Sequence, residues 1–360
     1  MSKLVLPSTR EEAWRWSDLS ALPALAVAES LGIEPAEDLW IGCGGPRLLF
    51  VDGVYQADRS DPGPIAIGLT GAASTHPLGR HADGVGWTLA LGREHAPAGT
   101  IEIVHLATGG TNHFPARIVL AEGAQASIVE TFRGEGWSNR LAAIELAPEA
   151  RVMRSIRLLQ HAGFVSLRDE AQVAAGASLV TMVLAAGEAD TRLDAMLTLA
   201  GEGAFAEHGG ALLARGQQRH DVAAVLRHEA EGGSSRQLWR AVVDDQATAS
   251  LAARVEVARG AQRTDGQQSL RGLLLKRSAT VNLKPELEIF ADDVKCAHGA
   301  TVGELDPQAL FYLAARGLPP MEARALLTRA FVGDALARIG EMPVREAFEA
   351  DAAAWLGAVA

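Results

Sequence analysis

From about Ile101 onward, apolar and polar residues alternate with a period of two for nearly 200 residues. In the run from Arg192 to Leu199, Leu193, Ala195, Leu197 and Leu199 fall on one face of an extended chain, and Arg192, Asp194 and Thr198 on the other. Small-residue turns interrupt the alternation at a fixed step. Gly123-Ala124, Glu149-Ala150, Gly176-Ala177, Gly203-Ala204, Gly232-Gly233 and Gly260-Ala261 follow one another at intervals of 26 to 29 residues. A second series, Gly136, Gly163, Asp190, Gly216 and Gln246, lies between them at intervals of 26 to 30. Two interleaved turn series imply two strands per repeat. A repeat of this length cannot bury its own apolar face, whereas stacked copies share one continuous core. The pattern predicts a mainly β, β-helix-like solenoid over residues 100–303, with six or seven rungs after Ile101 and the four apolar residues of 193–199 facing inward. The competing reading is a β-sandwich or barrel with coincidental turn spacing.

The flanks read differently. Ser8-Thr9-Arg10-Glu11 has the form of a capping box and predicts a helix from Thr9, continued by Leu22, Leu25, Ala28 and Leu31 as far as Gly32, with a break at Pro23. Asp52-Gly53 between Leu48–Val51 and Val54-Tyr55 predicts a hairpin. Residues 60–98, rich in Gly, Pro, Ala and His, read as irregular linker, so 1–99 is assigned to a helical and irregular amino-terminal segment. After Gly303 the spacing becomes helical. Asp306 is a good N-cap, Pro307 a first-turn residue and Gly317 a stop; Pro319-Pro320 opens a second helix and Pro343 begins a third. Leu327, Phe331, Ala335 and Ile339 share a face of the second, and Val344, Phe348, Ala352 and Trp355 a face of the third. Residues 304–360 therefore form a carboxy-terminal helical domain, expected to dock on the solenoid's end and cover its edge strands.

Composition narrows the function classes. With 21% charged and 48% hydrophobic residues the chain is globular, and its net charge of −11 argues against a broad nucleic-acid footprint. Two widely separated cysteines suit a reducing compartment. MSKLVLPSTR lacks an apolar core of signal-peptide length and no run approaches a membrane span, which reads as cytoplasmic. No phosphate-binding loop, Gly-x-Ser-x-Gly elbow or His-Glu-x-x-His is present, so no ATP hydrolysis or hydrolase chemistry is expected. Asp244-Asp245 and Asp292-Asp293 resemble paired carboxylates, but strand neighbours point to opposite faces, so both doublets read as turns or edges. His76, His81, His95, His105 and His113 lack regular ligand spacing and read as surface residues, and Cys43 as an inert turn thiol.

The candidate chemistry lies at Cys296 and His298. Two apart on an extended segment, they face the same way and form half a site for a soft or borderline metal. A buried cysteine beside a hydrogen-bonded histidine is the plainer reading of that spacing.

The surrounding words carry more. Lys284–Ile289, Ala291–Cys296, His298–Gly303, Leu310–Leu313 and Arg316-Gly317 resemble the carboxy-terminal signature of the SufB/SufD family of iron–sulfur cluster assembly proteins, its SufD branch in particular. Further similarity lies in Glu12, Trp14-Arg15-Trp16 and Asp18-Leu19, in Ser235–Arg240, and in Ala261–Gln268, and spans nearly the whole chain. The resemblance implies a right-handed solenoid and a non-enzymatic scaffold subunit. Such a subunit pairs with a SufB homologue and recruits the SufC ATPase, an ABC-type protein, through its carboxy-terminal helices. It also implies a transient iron–sulfur cluster at the SufB interface. His298 would be the favoured cluster or iron ligand and Cys296 the weaker one. Phe311, Tyr312, Arg316, Leu327 and Phe331 are the residues assigned to the partner interface. Flavin binding by the assembled complex stays open, as does a homodimer of the isolated chain. The rival readings are a carbohydrate-active β-helix enzyme and a homodimeric structural scaffold without a metal role.

Overall fold

A computed structural model describes residues 4–32 and 39–358. Met1–Lys3, the start of the amino-terminal stretch, lie outside the described residues. In chain order the elements are α1 (Leu22–Leu25), β1 (Gly44–Val51), β2 (Val54–Tyr55), β3 (Ile65–Leu69), β4 (Val85–Leu91), β5 (Thr100–Leu120), β6 (Gln125–Leu146), β7 (Arg151–Leu158), β8 (Ala162–Val173), β9 (Ser178–Ala185), β10 (Asp190–Leu199), β11 (Phe205–Ala214), β12 (Arg219–His228), β13 (Ser234–Val243), β14 (Thr248–Val257), β15 (Thr264–Leu274), β16 (Thr280–Ile289), β17 (Val294–Glu304), α2 (Pro307–Ala315), α3 (Pro320–Leu336) and α4 (Met342–Ala358).

The strands stack into two parallel ladders. Ladder one runs β1, the first half of β5, the first half of β6, then β7, β9, β11, β13, β15 and β17. Ladder two runs β4, the second halves of β5 and β6, then β8, β10, β12, β14 and β16. The chain is a parallel β-solenoid of about eight turns. Leu193, Ala195, Leu197 and Leu199 lie in its core as the alternation requires. Arg192, Asp194 and Thr198 take the opposite face, yet all three are buried. The amino-terminal segment covers two of them, Arg192 donating to Ser17 Oγ and to the Ala13 carbonyl, both at 2.9 Å, and His76 lying 3.4 Å from Asp194.

The first turn series forms one corner. Gly123, Glu149, Gly176, Gly203 and Gly232 all have φ between 61° and 68°, a region that favours glycine. Their N–H groups donate to the turn carbonyl of the next rung, as from Gly176 to Glu202 at 2.9 Å and from Gly203 to Glu231 at 3.0 Å. Each is followed by a small residue at a crowded corner, and Ala124, Ala150, Ala177 and Ala204 are fully buried. The column continues at Arg263, φ 60°, and not at Gly260.

Three expectations for the flanks are corrected. The capping box forms, with Ser8 N donating to Glu11 Oε1 at 2.9 Å, but it leads only into a 3-10 turn over Glu12–Trp14 and the four-residue α1. Pro23 and the pull of Trp14, Leu19 and Leu22 into one small cluster leave no room for a regular helix. Residues 60–98 are not linker: β4 extends ladder two and β3 pairs antiparallel with it. The histidines of this region are not all at the surface. His105 is in the core, stacked 4.6 Å from Phe132, and of the five only His95 is exposed. The Asp52-Gly53 hairpin is present, pairing Val51 with Val54.

The carboxy-terminal helices form where expected, with Asp306 accepting from Gln308 N at 2.9 Å and Gly317 at φ 86°, but α3 ends at Leu336, so Ile339 lies beyond the helix and still packs in the same cluster. Their location differs. Val344, Phe348, Ala352 and Trp355 of α4 and Val332 and Leu336 of α3 pack on Met182, Leu184, Ala211, Leu213 and Val242. Those five point outward from ladder one, so α3 and α4 cover its side and not the end of the solenoid. Arg157 holds Asp351 at 2.7 Å, Arg338 holds Glu207 at 2.7 Å, and Arg240 pairs with Asp334. An apolar band on the outer face needs such a cover, whereas the last rung is left uncapped.

Candidate functional site

The last rung consists of β16 and β17. Among the described residues no strand pairs with the free edge of either. An unpaired parallel edge presents a row of N–H and C=O groups ready to bond another chain. Its inward-facing side chains are uncovered too: Val302 is 45% exposed and Ile289 37%, and Phe290, next to Ile289 in the chain, is 60% exposed. Apolar residues thus continue the core pattern onto a rung with nothing above it.

Cys296 and His298 sit on β17 at this mouth. In register, Cys296 lies over Gly266 and His298 over Gln268, so both have the inward parity of ladder one. Cys296 is half-buried against Val255, Val257, Ala261 and Ala291, while His298 is exposed. Burial pushes the Cys296 thiol up, so its proton must be displaced before it can bind a soft metal. Two donors two residues apart are all that this mouth offers: no group of three or more His, Cys, Asp or Glu residues suited to a metal occurs among the described residues. Gly266, directly beneath Cys296, leaves the sulfur room that a side chain would take, since a Cβ there would stand 3.3 Å from Sγ. Gln268 donates from Nε2 to the Ala253 carbonyl at 2.9 Å. The spacing of Cys296 and His298 was visible in the sequence; the two residues beneath them become visible only through the register.

The residues assigned to a partner separate into two groups. Phe311 and Tyr312 on α2 are 77% and 57% exposed, and the Arg316 guanidinium lies 5.1 Å from the Tyr312 ring. Phe331 on α3 packs against the chain's own outer face and under Arg240, and Leu327 is half-buried. Cys43 is held away from reaction, its thiol pushed up to about 12 by burial and by Glu102. Asp245 occupies a turn with φ 53°, in keeping with a turn role for its doublet.

Residues 106–331, well over half of the chain, match the family model described as "SUF system FeS cluster assembly, SufBD core domain". The chain belongs to the SufB/SufD family. It is 27% identical to the iron–sulfur cluster assembly protein SufD of Escherichia coli, across 91% of this chain and 84% of that protein. It is 28% identical to a SufBD family protein of Synechocystis, across 94% and 85% respectively. The chloroplastic protein ABCI7 of Arabidopsis thaliana is 30% identical over 64% of this chain and 50% of its own length. The resemblance is thus to the SufD branch, and the family's names place it in iron–sulfur cluster assembly. The carbohydrate-enzyme reading gives way to this one. No helix among the described residues is long and apolar enough to cross a membrane.

Proposed function

We propose that this SufB/SufD-family chain is a non-enzymatic scaffold subunit that joins a SufB-type chain through its open last rung and holds an iron–sulfur cluster, as cargo, at that junction. The observation that carries the proposal is the free outer edges of β16 and β17, with exposed apolar side chains and a Cys–His donor pair on β17. A homologous solenoid end would continue both ladders and cover Ile289 and Val302. Two donors fall short of a closed ligand set, so a thiolate from the partner would complete it. His298 is the favoured donor because it is exposed and Cys296 is half-buried. Helix α2, which carries exposed Phe311 and Tyr312 with Arg316, is the surface proposed for the SufC-type ATPase.

Ala300→Lys tests the junction. Ala300 is exposed on β17 at the inward parity, in register over Leu270, so a lysine there puts a charge where a continuing rung would lay its core. Co-purification with the co-expressed SufB-type chain should fall at least about tenfold, equal to about 1.4 kcal/mol. Undiminished pairing would refute an interface at this rung.

A further inference from the structure

A cleft of about 340 Å³ separates the amino-terminal turn from the outer face of ladder two. Its floor includes the methyl groups of Ala223 and Ala252, which are direct neighbours in register, and Trp16 stands over it as a wall. Apart from the exposed Arg15, the charges around the rim are paired. Lys284 lies 2.6 Å from Glu12 and 3.2 Å from Glu286, and Arg254 lies 3.4 Å from Glu286. Arg192, on the inner wall, is spent on Asp194 at 2.6 Å, on Ser17 and on Ala13.

Asp221 is the exception. Only 3% exposed, it has an Oδ1 with no hydrogen-bond partner. The Ser17 and Ser250 hydroxyls lie near its carboxyl and favour its ionised form, and Arg192 and Asp194 are its charged neighbours. Burial, only partly offset by Arg192, raises its pKa to about 6, so above that pH the cleft holds an ionised carboxylate short of a partner. A buried acceptor in that state gains most from a charged donor.

We propose that this cleft binds a small aliphatic ammonium ion, its cationic head on Asp221 and its alkyl body between Trp16 and the Ala223–Ala252 floor. An anion is disfavoured by Asp221 and finds Lys284, Arg254 and Arg192 already paired. A metal ion is disfavoured because Glu12 and Glu286 are already held by Lys284 and Arg254, and no group of three or more donors suited to a metal occurs among the described residues.

The test is titration of the full chain at pH 7.5 with n-butylammonium, followed by Trp fluorescence and calorimetry, with butyrate as the control probe. Wild type should bind n-butylammonium saturably and butyrate not at all. Asp221→Asn should weaken binding by about tenfold or more, as expected for loss of one charge-assisted bond. Ala252→Met, which fills the floor from a half-buried position and leaves Asp221 intact, should abolish it, and decides the matter if the Asn variant does not fold. Absence of saturable binding to wild type would overturn the proposal. So would equal binding of butyrate, or affinity within twofold of wild type in a folded Asp221→Asn or Ala252→Met variant.

Discussion

Phe348→Ala on α4 tests whether the helices are bound to the solenoid's side. Phe348 is fully buried, with Val344, Ala352 and Trp355 beside it and Met182, Leu184, Leu213 and Val242 on the facing strands. Truncating a buried phenylalanine removes its transfer free energy and leaves a cavity, a loss of about 3–5 kcal/mol. That is a large part of the total of about 5–15 kcal/mol for a typical domain. The solenoid rungs rest mainly on their neighbours, so the loss should appear first in α3 and α4. Urea unfolding gives the total change, and amide hydrogen exchange over 320–358 locates it. Glu349→Ala, one residue further on the exposed face, is the control and should change stability by less than about 0.5 kcal/mol. A loss below about 1 kcal/mol in Phe348→Ala, or equal protection losses throughout ladder two, would refute side-on docking.

Two further predictions concern charges within the fold. Asp221 has a folded-state pKa raised from 3.8 to about 6 by burial, so the native state holds its proton more tightly than the unfolded chain. Its ionisation therefore costs nothing below about pH 3.8 and weighs fully on stability above about 6. Asp221→Asn should gain on wild type by up to about 3 kcal/mol between pH 4 and pH 7 in urea titrations, and a pH-independent difference would contradict the burial argument. Arg154 is fully buried inside the solenoid, 2.6 Å from Asp169 and 3.1 Å from Glu130, and Arg140 pairs with both carboxylates. Arg154→Met should cost about 3–5 kcal/mol at pH 7 by leaving those carboxylates under-paired, and a loss below about 1 kcal/mol in chemical denaturation would show the cluster to be dispensable.

The solenoid was legible because its two causes are both written in sequence: period-two burial, and a left-handed corner that recurs as Gly123, Gly176, Gly203 and Gly232. The helices' apolar stripes were legible as well, but a stripe states that a face is buried and not what covers it. The missing half of that information was on the strands, where Met182, Leu184, Leu213 and Val242 put apolar residues on the outward parity of ladder one. Strands β3 and β4 were hidden by glycine, since Gly68 and Gly86 pair with each other and a Cβ on Gly86 would meet the Pro115 carbonyl. Glu130, Arg154 and Asp169 broke the apolar alternation at inward positions. Only the fold shows that they compensate one another: against the burial that would raise them, Arg140 and Arg154 hold both carboxyls below the usual range. At the candidate site the donor pair could be read from spacing, whereas the open rung around it depends on where the helices dock.

The central claim is that His298 at this rung holds the cluster. His298→Ala removes an exposed imidazole from the edge strand and leaves the core untouched. The complex proposed to form on co-expression with SufB-type and SufC-type chains should still assemble, but with iron content and visible iron–sulfur absorption sharply reduced after reconstitution. Cys296→Ser, at the half-buried neighbour, should lose less. A wild-type cluster yield in His298→Ala would contradict the account, and a large loss confined to Cys296→Ser would transfer the ligand role to the cysteine.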